Sequence, residues 1–282
     1  MSNALLSRRL FLADLGRGAF AVAVLGGAVA TLEACTGPGP TVTPAATHVR
    51  TGSPQPTASP SAPAGSVAPG GSGAPAGSAS SGGPSAPGGV AWTRVNLGFV
   101  SAYLLVRDGE GAIVDTGVAG SAKAIEAAMT AVGLAWSDIG NVILTHKHPD
   151  HAGSIDAVLA AAPEAMGWIG AGDLAAVTVA RPMTAVADGD EVFGLKIVTT
   201  PGHTAGHIAV LDDIGGVLVA GDALSTTAGT LAGSNPQFTE DEAAAQATIV
   251  KLGKLTFETL LVGHGAPILT GASAQVAALG GG

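Results

Sequence analysis

Four apolar runs in this chain each end at or just before a residue that binds metal ions well. Val142-Ile143-Leu144 leads into His146-Lys147-His148-Pro149-Asp150-His151, and Leu195 to Val198 leads into Pro201-Gly202-His203. Val217-Leu218-Val219-Ala220-Gly221 ends at Asp222, and Leu260-Leu261-Val262-Gly263 ends at His264. Short apolar runs bounded by turn formers read as buried strands. Four strand ends therefore deliver ligand-type side chains to what can be one rim. Singly, each has a bland reading, since a lone Asp after a strand is commonly a turn former or cap. Together they exclude a fold that keeps these ends apart.

The first cluster is the densest. Imidazole nitrogen and carboxylate oxygen are preferred zinc ligands, with bonds of about 2.0–2.2 Å. Histidines at i and i+2 on a tight loop can converge on one ion, which leaves Asp150 and His151 free to reach a second. The single cysteine, Cys35, is remote in sequence, so no thiolate ligand is expected. An oxygen-and-nitrogen donor set suits zinc and also accepts iron or manganese.

The order H-x-H-x-D-H, then Gly202-His203-Thr204, then Gly221-Asp222, then Gly263-His264-Gly265, resembles the metallo-β-lactamase-fold hydrolases. The resemblance runs from about Val95 to Pro267. It implies a mixed αβ fold, an αβ/βα sandwich of two packed sheets flanked by helices. It also implies that His146, His148 and His203 bind one divalent ion, that Asp150, His151 and His264 bind another, and that Asp222 bridges them. Asp115, in Ile113-Val114-Asp115-Thr116-Gly117, matches the family's early Asp-Thr-Gly turn and is expected to orient ligands from outside the first ring of contacts. His207 is expected to pack behind the ligands, with a substrate contact as its alternative.

The activity implied is that of a dinuclear metal-dependent hydrolase, with zinc favoured by donor type, in which a metal-bridging hydroxide attacks a small ester, lactone or thioester. Asp150 and Asp222 are its catalytic carboxylates. Asp222 stands where the antibiotic-degrading members carry Cys or Ser, which disfavours a β-lactamase. Two alternatives remain open: a mononuclear iron enzyme similar to the persulfide dioxygenases, and a non-catalytic metal-binding lipoprotein. The glyoxalase II branch carries an added helical region that grips glutathione. The residues after His264 are expected to form a turn and tail instead, which weakens a glutathione-thioester reading. Residues Ala223 to Phe238, small and polar apart from Leu224, Leu231 and Phe238, are expected to be a loop forming the substrate wall. Trp92, Trp136, Trp168 and Tyr103 are expected in packing rather than at substrate.

Outside this domain the chain changes character twice. Residues 1–35 read as an export signal: Ser7-Arg8-Arg9-Leu10-Phe11-Leu12 resembles a twin-arginine motif, and Leu32-Glu33-Ala34-Cys35 resembles a lipobox. The uncharged stretch from Gly18 to Leu32 is shorter than the roughly 20 residues of a membrane span. Cys35 is then the lipid-bearing residue that anchors an exported domain to the membrane of a bacterial envelope. Residues 36–89 hold 11 of the 17 prolines and no Asp or Glu. Such a stretch buries too little apolar surface to offset its ordering entropy and is expected to be a disordered tether, with a reach of roughly 40 Å. His48 falls within it. Residues 90–282 are expected to form the catalytic domain, with helices over Lys123–Val132, Ser154–Ala162 and Asp241–Lys251, and a hairpin about Asp108-Gly109-Glu110-Gly111.

Charge bears on partners. The domain carries 8 basic and 19 acidic residues, a formal −11. Nucleic-acid binding requires basic surface to meet phosphate, so no nucleic-acid partner is expected. A small-molecule substrate is.

Overall fold

The computed structural model describes residues 79–81 and 87–281. The export segment with Cys35, and His48, lie outside the described residues. No described helix is long and apolar enough to cross a membrane.

Two sheets face each other. The first has seven strands in the order β1 (Ala79–Ser81), β2 (Ala91–Asn96), β3 (Ser101–Arg107), β4 (Glu110–Val114), β5 (Ile139–Leu144), β6 (Met166–Gly170) and β7 (Thr184–Val186). Pairing is antiparallel through β1–β4 and parallel from β4 to β7. The second sheet contains β8 (Glu191–Val192), β9 (Leu195–Thr199), β10 (Ile208–Asp212), β11 (Val217–Gly221) and, beyond a separate hairpin of β12 (Leu224–Thr227) and β13 (Thr230–Gly233), β14 (Thr259–Val262). Its order is β14-β11-β10-β9-β8. β9 and β11 are each antiparallel to β10, and β14 is parallel to β11, so β9, β11 and β14 end on the same side.

The two-residue period of the strands sorts side chains into three cores. Between the sheets lie Tyr103, Leu105, Val114 and Ile143 against Leu195, Ile197, Val210, Val219 and Leu261. Alternate residues of the first sheet, Leu104, Ile113, Val142 and Leu144, pack outward on α1 (Ala122–Ala131) and α3 (Ile155–Ala161) through Ile125, Met129, Val158 and Leu159. A short helix, α2 (Pro149–Ala152), precedes α3. Ala209, Leu211, Leu218, Leu260 and Val262 of the second sheet pack outward on α4 (Glu242–Leu252) and α5 (Ala272–Leu279) through Ile249, Leu252 and Val276. The result is the helix–sheet–sheet–helix sandwich expected from the sequence.

Several local expectations need correction. Backbone pairing begins at Ala79–Ser81, inside the stretch read as tether. The β3–β4 hairpin turns on Asp108-Gly109 alone, both with positive φ (53° and 85°), so Glu110 already belongs to β4. Residues 223–238 are not a loop but chiefly the β12–β13 hairpin followed by a 3₁₀ turn at Pro236–Phe238. The expected tail after His264 contains α5, whose Ala272 and Val276 are buried against the second sheet. Trp92 and Tyr103 are buried as expected, and the Tyr103 hydroxyl donates to Val262 O (2.7 Å), tying the sheets together.

Candidate metal centre

The first ligand loop leaves β5 and turns into α2 at Pro149. Proline at the first helical position supplies the required φ and disfavours helical backbone in the residue before it. His148 accordingly has φ −63° and ψ 145°, which separates its direction from that of the helical Asp150 and His151. Two sets of side chains result. His146, His148 and His203 form one group, and Asp150, His151 and His264 form another, while Asp222 groups with His146 and His151.

The distances are short for groups of one kind. His148 Nδ1 lies 3.0 Å from His146 Nε2 and 2.9 Å from His203 Nε2. In the second group His264 Nε2 lies 3.4 Å from His151 Nε2 and 3.2 Å from Asp150 Oδ2. Asp222 stands between them. Its Oδ2 is 3.4 Å from His203 Nε2 and 3.2 Å from His264 Nε2, and its Oδ1 is 3.2 Å from His151 Nε2. Asp222 Oδ1 is buried with no hydrogen-bond partner among the described residues. An unpartnered carboxylate oxygen amid converging imidazole nitrogens is what a bound cation would satisfy.

The hydrogen bonds behind the ligands fix which nitrogens face inward. Asp115 accepts the Thr145 N–H (2.8 Å) and the Thr145 hydroxyl (2.9 and 3.0 Å). With its proton committed to Asp115, the Thr145 oxygen accepts from His146 Nδ1 (3.0 Å), leaving His146 Nε2 as the inward lone pair. Asp115 Oδ2 also accepts from His151 Nδ1 (2.8 Å). His264 Nδ1 donates to Phe99 O (2.7 Å). His207 is buried behind the site: its Nε2 accepts the Asp222 N–H (3.1 Å) and its Nδ1 donates to Thr200 Oγ1 (2.7 Å). His207 therefore orients Asp222 and does not line the cavity.

Asp173 is the residue that sequence reasoning missed. Fully buried after β6, it accepts Lys147 N–H (3.0 Å), Thr204 hydroxyl (2.6 Å) and Gly206 N–H (2.9 Å), joining the two loops that carry the first histidine group. Its only signal was another carboxylate after a strand and a Gly170-Ala171-Gly172 turn. Glu240 adds a second clasp across the same loops, accepting Lys147 Nζ (2.6 Å) and Ala205 N–H (3.0 Å).

Burial and charge oppose each other across the rim. Burial lowers the His146 pKa well below its ordinary value, takes His203 down to about 4 and takes His207 down to about 3. Burial also disfavours charge on His151, but the Asp115 carboxylate and then Asp222 outweigh it and hold that pKa well above normal. Hydrogen bonds to Asp150 and then Asp222 raise His264 to about 10. Burial pushes Asp222 up, yet His151 and His264 beside it hold its pKa well below the carboxylate range. His264 first, then His151, lowers that of Asp150 against the opposing effect of burial.

Above the rim opens a cavity of about 830 Å³, lined by Phe99, Val118, Asp150, Ser225, Asn235 and Phe238 among others. Of the three apolar residues singled out in the 223–238 segment, Leu224 is in the core, Leu231 packs against it, and only Phe238 faces the cavity. None of Trp92, Trp136, Trp168 and Tyr103 lines it.

Comparison with known proteins gives a consistent result. A family profile described as Metallo-beta-lactamase superfamily matches residues 95–169 and 184–264. A hydroxyacylglutathione hydrolase from Alkalilimnicola ehrlichii is 41% identical over 116 residues, covering 40% of this chain and 41% of that one. Another, from Acidiphilium cryptum, is 36% identical over 173 residues, covering 58% and 63%. The chain thus matches less than two thirds of the length of these relatives. Among solved structures, a metallo-beta-lactamase family protein from Thermus thermophilus superposes with a TM-score of 0.52 at 25% identity, covering 64% of this chain and 73% of that one. A beta-lactamase from Chitinophaga pinensis gives 0.54 at 22% identity, covering 69% and 88%, a likeness of fold alone.

Proposed function

We propose that this chain, which belongs to the metallo-beta-lactamase superfamily, is a hydrolase whose rim holds two divalent ions, zinc by donor type, and acts on a small ester, lactone or thioester. The observation that carries this reading is the position of Asp222, whose two oxygens lie within 3.2–3.4 Å of ligands from both groups. His146, His148 and His203 would hold one ion, and Asp150, His151 and His264 the other, with Asp222 shared. Two ions so placed would lower the pKa of water toward about 7 and polarise a carbonyl.

The protein's own residues do the rest. Asp150 is part-exposed to the cavity and paired with His264, a position from which its carboxylate can take the proton released by the attacking water and steer it to a leaving group. Asp222 is kept in place by His207 from its backbone side. Phe99, Val118 and Phe238 exclude water from one side of a bound acyl group. Ser225 and Thr226 are poor candidates for a covalent nucleophile, because their hydroxyls donate to Gly233 O (3.0 Å) and Ala266 O (2.7 Å).

Metal analysis with an ester, lactone and thioester screen tests the reading. About two ions per chain are expected, falling to about one in His264→Ala with the fold retained. Asp150→Asn should lose at least about 10²-fold in turnover. Saturation at one iron with oxygen uptake on persulfide would overturn the hydrolase. In the same reading the domain is exported and anchored through Cys35, and Cys35→Ser should move it from the membrane to the soluble fraction.

A further inference from the structure

The cavity differs in charge from the floor beneath it. Its lining includes the ligand positions His148, Asp150, His203, Asp222 and His264, together with hydroxyls, an amide and aromatic rings, but, among the described residues, no lysine or arginine. The two cations that flank the ligand loops are committed elsewhere. Lys147 Nζ sits 2.6 Å from Glu240 Oε1, and Arg94 donates to Ser101 Oγ (2.8 Å) and Gly265 O (2.7 Å). The domain as a whole is acidic, at −11.

What the lining does offer is apolar surface. Phe99 is 64% exposed and Phe238 57% exposed, and both face the cavity from different loops. Phe99 is held in place by its own backbone carbonyl on His264, with its ring nearly parallel to that imidazole (13°, centroids 6.0 Å apart). Phe238 closes the 3₁₀ turn after the hairpin, where Asn235 Oδ1 accepts the Gln237 N–H (3.1 Å) and the Asn235 carbonyl accepts the Phe238 N–H (3.0 Å). Val118 and Ala119 extend the apolar surface. A ring left in water gains by covering itself with an apolar ligand, whereas a carboxylate held against this wall, at the far end of an acyl chain from the floor and any ions bound there, loses hydration without a counter-charge.

We propose that the substrate is uncharged, with an apolar acyl portion packed against Phe99 and Phe238, and that the cavity rejects acyl groups ending in a carboxylate. This rests on the hydrolase reading and narrows it. It separates the chain from what the names of its hydroxyacylglutathione hydrolase relatives imply, because glutathione carries two carboxylates and the described wall above the floor offers neither a cationic side chain. Specificity then lies in Phe238, which makes no hydrogen bond to the rim through its side chain and can be changed without disturbing it.

The test uses the zinc-loaded full chain and a matched set of 4-nitrophenyl esters: acetate, butyrate, hexanoate, and the mono-ester of adipate, which equals hexanoate in carbon count but ends in a carboxylate. Enzyme-free hydrolysis is subtracted. From acetate to hexanoate kcat/KM should rise, by up to about fourfold per methylene, mainly through KM. The adipate ester should fall at least about tenfold below hexanoate. Phe238→Ala should flatten the dependence on chain length, and Phe238→Lys should shift the adipate-to-hexanoate ratio at least about tenfold toward adipate. Circular dichroism confirms that each variant is folded. If the esters are hydrolysed but adipate matches hexanoate, the substrate class is wrong and the hydrolase stands. If the wild-type preference is present but both Phe238 variants retain it, Phe238 is not the acyl wall. If no ester, lactone or thioester is turned over by the two-zinc protein, the hydrolase reading fails and this inference goes with it.

Discussion

The floor of the site and the wall above it are built on opposite principles. On the floor, His146, His151, His203 and His207 are buried, and partners far away in sequence dictate ring orientations: Asp115 lies 36 residues from His151, and Phe99 lies 165 from His264. In the wall, Ser225 and Thr226 bond to backbone carbonyls, while the rings of Phe99 and Phe238 project into solvent. The floor is a network in which removal of one member strands another. The wall is chiefly a hydrogen-bonded hairpin and turn whose aromatic side chain, Phe238, is more exposed than buried. Chemistry is thus placed where substitution is costly, and recognition where it is cheap.

The sharpest way to break this contrast is Asp115→Ala. It strands the Thr145 N–H and hydroxyl and the His151 Nδ1–H, all buried. A loss of about 3 kcal/mol or more in unfolding free energy is expected, together with a roughly 10- to 100-fold loss of metal affinity, read by denaturant titration and metal competition. An Asp115→Ala protein as stable as the parent would mean that the floor is not a network.

Gly263→Ala should come next. A Cβ there would run into Asp222 Oδ1 and lie 2.6 Å from His151 Cε1. The expected cost is about 1–3 kcal/mol from overpacking, with turnover reduced because Asp222 is displaced. Thermal unfolding and a crystal structure of the variant would check both.

On the wall, Thr227→Ala should change stability by no more than about 0.5 kcal/mol. A larger loss would show that the wall also supports the fold.

A comparably small effect belongs far from the site. Asp188 pairs with Lys251 (2.6 Å) and accepts the Thr199 N–H (2.8 Å) at the surface. Lys251, and then the hydrogen bonds from Thr199, lower the Asp188 pKa against a small opposing effect of burial. A lowered carboxylate pKa stabilises above the unfolded-state value and ceases to do so as pH falls through the folded one. Since both groups are largely exposed, Asp188→Asn should cost only about 0.2–1 kcal/mol at neutral pH, and the difference from the parent should vanish in acid. Unfolding curves at neutral and acidic pH would show it.

Much of the floor was legible in the sequence because buried strands announce themselves by composition and end where their ligands begin. His146, His148, Asp150, His151, His203, Asp222 and His264 converge because β5, β9, β11 and β14 end at the same rim. The supporting network was far less visible. Asp173 and Glu240 act on loops more than 25 residues away in the chain, and a carboxylate with a distant partner has no local signature. The wall was misread for a different reason. Thr and Ala in β12–β13, with Ala228 at φ 50° in the turn, form a hairpin that carries none of the usual β-branched apolar alternation. In α5, six of eight residues are alanine, serine or glutamine, so its packing against β14 gives only a faint helical stripe.

The shared acceptor at Asp115 has an evolutionary corollary. It steadies His146 through Thr145 and His151 directly, so under the two-ion reading it serves ligands from both groups. The two affinities are then not separately adjustable at that position: any drift there moves both. A lineage that abandoned one ion while keeping the other would have to change Asp150 or His264, which lie outside Asp115's reach, and Asp115 itself would be the last residue such a lineage could give up.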